Sequence, residues 1–214
     1  MRVLYLHGFA SSPQSSKATF FAARLAALGV PIDVPDLNAP DFSTLTVTRM
    51  LKRCADVIER DTDPVTVIGS SLGGFVAVQA ALSYPLQIER VVLLAPALEF
   101  DGDRWSELGD RTLDAWRSTD RLEVFHHAYG RTVPLHYALY EDMGRYDAMR
   151  AILPQPVQVF QGRRDTAVAP ATVARWSAAR PNVELHMLDD DHQLQGSLDY
   201  IWTHVERFLY QQIP

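Results

Sequence analysis

Residues 65 to 82 read "VTVIGSSLGGFVAVQAAL" and contain no charged side chain. Few folds can accommodate such a stretch. "VTVI" has the continuously apolar, β-branched character of a strand buried on both faces, and "LGGFVAVQAAL" is an almost wholly apolar helix. A helix without a polar face belongs against a sheet with further structure above it, so the segment predicts a strand, a sharp turn and a helix inside a layered α/β domain.

The rest of the chain repeats this alternation. "RVLYL" at 2 to 6, "PIDVPDL" at 31 to 37, "RVVLLAP" at 90 to 96, "VQVFQG" at 157 to 162 and "VELHML" at 183 to 188 read as further strands. Between them, Ala18, Phe21, Leu25 and Leu28 mark one helix face ended by Gly29, and Leu198, Ile201, Trp202, Val205, Phe208 and Leu209 mark another. The expected fold is one α/β domain over residues 1–214, with a mainly parallel sheet of about six strands and helices on both faces. The alternation breaks between 98 and 153. This aromatic-rich stretch is too long for an ordinary connection and reads as a helical insertion with a hairpin around "GRTVPLHYALY". It is expected to be a lid over a site, with additional packing as the alternative.

In "GSSLGG" the pattern G-x-S-x-G fits one register, Gly69-Ser70-Ser71-Leu72-Gly73. A nucleophile on a strand-to-helix elbow brings the residues two before and two after it close together, so both must be small. With Ser70 as nucleophile those flanks would be Ile68 and Leu72, so sterics favour Ser71. The competing readings are a plain Gly/Ser turn and an anion site at a helix N-terminus, although neither dinucleotide nor P-loop glycine spacing is present.

A serine needs a base and a group that orients the base. Of the seven histidines, His7 precedes the elbow, His126, His127 and His136 fall in the insertion, His186 lies within an apolar strand and His204 in the last helix. His192, in "LDDDHQLQG" beyond the final strand, is the expected base. Asp165, in "GRRD" after the strand 157 to 161, is the expected acid; Asp189, Asp190, Asp191, Glu99 and Asp101 compete with it. Backbone N–H groups of Phe9 and Leu72 are the expected oxyanion donors. His7 is then a structural residue of the first turn. Trp105, Trp116, Phe125, Tyr129, Tyr137 and Tyr140 are candidates for an apolar substrate pocket, or else for a small core of the insertion's own.

Hydrophobic residues make up 47% of the 214-residue chain and charged residues 21%, ordinary for a globular domain. A net charge of -6 gives no basis for nucleic-acid binding. No run approaches the roughly 18 apolar residues of a membrane span, and the start lacks a signal-peptide core, so a cytoplasmic protein is expected. Cys54 sits among apolar positions at helical spacing and reads as a small core residue. His126 and His127 are adjacent and would diverge, so no metal site is expected from them with His136.

"LHGF", "GSSLGG", "GRRD" and "DDH", in that order on strand ends, resemble the α/β-hydrolase superfamily. "YLHGFASSPQSSKA" together with "GSSLGG" is similar to the small bacterial esterases of the YqiA type. The resemblance covers about residues 1 to 97 and 154 to 212. It implies Ser71, Asp165 and His192 as a triad that hydrolyses a small-molecule carboxylic ester through an acyl-enzyme, without cofactor or metal. Thioesters are the alternative substrate, and a binding module without turnover is the reading from another class.

Overall fold

A computed structural model of the chain describes residues 1–100 and 110–210. Its main sheet has six strands, β1 (Arg2–Leu6), β2 (Ile32–Asp33), β3 (Val65–Ser70), β4 (Ile88–Leu94), β7 (Val157–Gly162) and β8 (Val183–Leu188), all parallel in the order β2-β1-β3-β4-β7-β8. The short β5 (Leu122–His126) and β6 (Arg131–Leu135) form a separate antiparallel hairpin. The helices are α1 (Ser16–Ala27), α2 (Val47–Ile58), α3 (Leu72–Ser83), α4 (Asp110–Thr119), α5 (Ala138–Met143), α6 (Pro170–Ala178) and α7 (Leu198–Tyr210). No helix among the described residues is long and apolar enough to cross a membrane.

Alternation along the strands divides the interior into two layers. Leu4 and Leu6 of β1, Val65 and Val67 of β3, and Val157 and Val159 of β7 point into a cluster shared with α2, α3 and α6. Their neighbours Val3, Tyr5, Ile68 and Phe160 point the other way, onto α1 and α7 through Phe21, Leu25, Ile201 and Trp202. Helices therefore cover both faces, as parallel strands with no polar face require. Helix α3 lies deepest, with every residue from Leu72 to Ala81 buried. Cys54 is wholly buried on α2, and burial pushes its thiol up to about 12.

The structure departs from the sequence reading at several points. The run 31 to 37 contributes only two paired residues, because Pro35, which has no N–H to donate, follows Val34 directly. Leu28 is exposed beyond the end of α1. The hairpin begins earlier than expected: Gly130, at φ +63°, lies in the turn, so its strands flank that residue. Among the described residues, the insertion has no separate core. Trp116, Leu135, Leu139, Met143 and Leu153 join the cluster beneath α2 and α3. Asp142 ties it down further, accepting from Thr48 N (2.7 Å) and Thr48 Oγ1 (2.6 Å) at the start of α2.

Candidate active site

The strands end in register. Leu6 pairs with Gly69, Ser70 with Leu94, Leu94 with Phe160, and Gly162 with Leu188, so the loops that follow open on one edge of the sheet. Sites of open parallel sheets form at this edge. The turns carrying Phe9, Ser71, Asp165 and His192 all lie there.

Ser71 joins β3 to α3 at φ 54° and ψ -117°, a left-handed conformation that a non-glycine residue holds at a cost of about 1–3 kcal/mol. Neighbouring hydrogen bonds hold it there: Ser71 N donates to Leu94 O at 2.9 Å, and Ser71 O accepts from Gly74 N (2.9 Å) and Ala97 N (3.1 Å). The flanking glycines are needed for space. A Cβ on Gly69 would lie 2.6 Å from the Gly73 carbonyl carbon, and one on Gly73 would lie 2.6 Å from that of Leu6. Ser70 is buried at the strand end, whereas Ser71 Oγ faces the loop beyond β8.

There His192 Nε2 stands 3.1 Å from Ser71 Oγ, and His192 Nδ1 stands 2.8 Å from Asp165 Oδ2. The Asp165 side chain is fully buried. Burial alone would raise its pKa, but the His192 contact, the Val168 N–H and Gln161 outweigh it and hold the carboxyl below the ordinary Asp value. An ionised Asp165 can only accept, so Nδ1 carries the ring proton and Nε2 presents its lone pair to the serine hydroxyl. Asp165 Oδ1 also accepts from Ala167 N and Val168 N, each at 2.8 Å, and Oδ2 from Gln161 Nε2 at 2.9 Å.

The competing acids are engaged elsewhere. Glu99 accepts from Thr172 Oγ1 and Arg175 Nη2, both at 3.0 Å, Asp189 pairs with Arg164, Asp190 accepts from Ser197 Oγ, and Asp191 accepts from Gln193 N. Asp101 lies outside the described residues.

The first turn lies against the elbow: a Cβ on Gly8 would be 3.4 Å from Ser71 Cβ and 4.0 Å from its Oγ. Leu72 is the first residue of α3, where N–H groups have no intrahelical acceptor. Phe9 follows Gly8, its ring packed 5.3 Å from that of Phe42. His7 is buried, its Nδ1–H donating to Gly8 O (2.9 Å) and its Nε2 accepting from Leu37 N (3.1 Å), which fixes the turn from both sides.

A cavity of about 590 Å³ opens onto Ser71 and His192, with Phe9, Lys17, Phe125 and His127 among its lining residues. Of the expected pocket aromatics, Phe125 lines it. Trp116, Tyr137 and Tyr140 instead pack on one another, with Trp116 5.4 Å from Tyr137 and 6.1 Å from Tyr140, and Tyr129 stacks on His126 at 3.6 Å. Trp105 lies outside the described residues. His136 bonds Asp120 at 2.8 Å, while His127 lines the cavity.

Two further residues escape motif reading. Gln161 is a wholly buried amide near the end of β7, and it holds Asp165 from behind. A polar residue at such a position is the signal that could have revealed it. Lys17 is buried, with its Nζ donating to Gln193 O at 2.9 Å beside His192; burial lowers its pKa to about 8, opposed by Asp191, Asp165 and Asp190. A lysine on the buried face of α1 is the corresponding sequence signal.

Among curated proteins, the lipase LipV of Mycobacterium tuberculosis is 36% identical over 89 residues, which cover 39% of this chain and 34% of LipV. The chain spans about half or less of the length of the curated relatives it matches. Est1E from Butyrivibrio proteoclasticus, solved with ferulic acid bound, superposes with a TM-score of 0.82 at 19% identity, covering 97% of this chain and 87% of that one. A monoacylglycerol lipase of Paleococcus ferrophilus gives 0.76 at 16% identity, over 97% and 93% of the two chains. These likenesses establish the α/β-hydrolase fold. The model of the uncharacterised protein family UPF0227 matches residues 2–209, and the chain belongs to that family.

Proposed function

We propose that the chain is a serine hydrolase that cleaves carboxylic esters with Ser71 as nucleophile, His192 as base and Asp165 as the group orienting it. The observation that carries this reading is the unbroken line of contacts from Asp165 through His192 to Ser71 Oγ, ending on a strained elbow. As Ser71 Oγ attacks the ester carbonyl, its proton passes to His192 Nε2 and the carbonyl oxygen takes up negative charge facing the amides of Phe9 and Leu72. Collapse breaks the bond to the alcohol oxygen, which leaves with the proton from Nε2. Water then gives a proton to Nε2 and attacks the acyl-enzyme, and the acid departs as the proton returns to Ser71 Oγ. Neither step calls for a cofactor.

The insertion acts as a lid, with Val124 and Phe125 of β5 and the following His127 forming one wall of the cavity. The size of that cavity favours short to medium acyl groups. Labelling by a fluorophosphonate probe, followed by peptide mass spectrometry, tests the nucleophile: the adduct is expected on Ser71. Turnover of p-nitrophenyl esters and matched thioesters should vanish in Ser71→Ala. An adduct on Ser70, or equal turnover in the two proteins, overturns the reading.

A further inference from the structure

Glu184 and His186 on β8 and His204 on α7 take no part in the Ser71 relay. Each offers a ligand-type atom, and these atoms all lie within 4.8 Å of one another. We propose that Glu184, His186 and His204 bind one divalent transition cation of the zinc class, which ties the edge strand β8 to the last helix.

His186 is already oriented as a ligand. Its side chain is only 10% exposed, and its ring stacks on Phe160 with centroids 4.7 Å apart and planes at 16°. Nδ1 lies 3.1 Å from the Tyr200 hydroxyl, whereas Nε2 is buried without a hydrogen-bond partner. Glu184 Oε1 is 3.1 Å from that Nε2, an ion-pair distance without the alignment of an N–H···O bond. A tetrahedral centre with bonds of 2.0–2.1 Å separates its ligand atoms by about 3.3 Å, close to this spacing.

The carboxylate is oriented as well, since Gln158 Nε2 donates to Glu184 Oε2 at 2.9 Å and leaves Oε1 for the cation. The His204 ring lies 4.4 Å from the rings of both His186 and Tyr200. The hydroxyl on His186 Nδ1 and the amide on Glu184 are outer partners of the kind that fix ligand orientation in metal sites. Two imidazoles and one carboxylate suit Zn²⁺, Co²⁺, Ni²⁺ or Cu²⁺ and not Mg²⁺ or Ca²⁺, which take oxygen donors. Glu184 is exposed, so water can take the fourth position. The loop bearing His192 runs between β8 and α7, so the cation would restrain it from outside the relay.

The test uses the full chain stripped with a chelator and titrated with Co²⁺, read by visible absorption, and with Zn²⁺, read by calorimetry and thermal shift. One equivalent is expected to bind with the intense visible bands of a tetrahedral centre, and Zn²⁺ should raise the melting temperature. Glu184→Gln and His204→Gln change partly exposed positions, and each should weaken binding at least about 10-fold; Tyr200→Phe should weaken it by about 10-fold through ligand orientation alone. Absence of Co²⁺ and Zn²⁺ binding at micromolar concentrations overturns the proposal. So does undiminished affinity in both ligand variants, which would leave the trio as an ion pair and ring cluster only.

Discussion

Replacing Asp165 by Asn changes one atom of a buried side chain, and the surrounding donors dictate the result. Ala167 N and Val168 N both donate to Oδ1, so the amide oxygen must occupy that position. The new amide nitrogen then takes the place of Oδ2, 2.8 Å from His192 Nδ1 and 2.9 Å from Gln161 Nε2. Gln161 can turn its own amide to present an acceptor. His192 can accept only by moving its proton to Nε2, where it points at Ser71 Oγ and leaves no lone pair to take the serine proton. A wrong tautomer of this kind costs about 10⁴-fold in kcat, or ~5.5 kcal/mol of activation free energy.

The assay is steady-state hydrolysis of a p-nitrophenyl ester, with circular dichroism to confirm folding; KM should change much less than kcat. A kcat within about tenfold of wild type in a folded Asp165→Asn protein would refute the tautomer argument. The carboxyl's pKa is lowered on folding, so its contribution to stability is present above the unfolded value near 3.8 and is lost as pH falls through the folded one. Below about pH 4 the stabilities of the two proteins should therefore converge.

Gly73→Ala forces a methyl group onto backbone at Leu6 and His7, which no side-chain rotation relieves, and should cost at least about 3 kcal/mol in urea unfolding or prevent folding; a wild-type midpoint would contradict the elbow geometry. Lys17 has a folded pKa of about 8, below its unfolded value of 10.5, so the unfolded chain retains the proton longer and stability rises with pH between those values. Lys17→Met should lack that rise, on the order of 2–3 kcal/mol, when denaturant midpoints at pH 7 and 10.5 are compared, and parallel pH dependences in the two proteins would refute it.

The parts legible in the sequence are those fixed by local sterics or by short runs rich in apolar and β-branched residues. "VQVFQG" and "VELHML" become β7 and β8 at the residues read, and the G-x-S-x-G register selects Ser71 because a Cβ on Gly69 would meet the Gly73 backbone four residues on, whereas the clash that Gly73 avoids, with Leu6 and His7, is not visible locally. Asp165 and His192 were legible through their place after strands. The insertion was not, because its order is set by distant partners: Trp116 is buried beneath the hairpin, with its Nε1–H donating to Leu135 O at 2.8 Å. Aromatic character marks such a residue for burial without saying on which side of the wall it falls, which is why Phe125 reaches the cavity while Tyr137 and Tyr140 do not.

The chain leaves β4 at Leu94 and returns in β7 at Val157, on the adjacent strand. The two strands are hydrogen-bonded neighbours, and because they run parallel, Leu94 beside Phe160 and Val91 beside Val157, the excursion starts at one edge of the sheet and comes back at the other. Doubling the length of such an excursion costs only about 0.6 kcal/mol of closure entropy. Within residues 95–156 only Val124, Phe125 and His127 meet the cavity among the described residues, so changes confined to them can reshape the wall while the paired strands and the buried remainder of the insertion keep serine, histidine and aspartate in register.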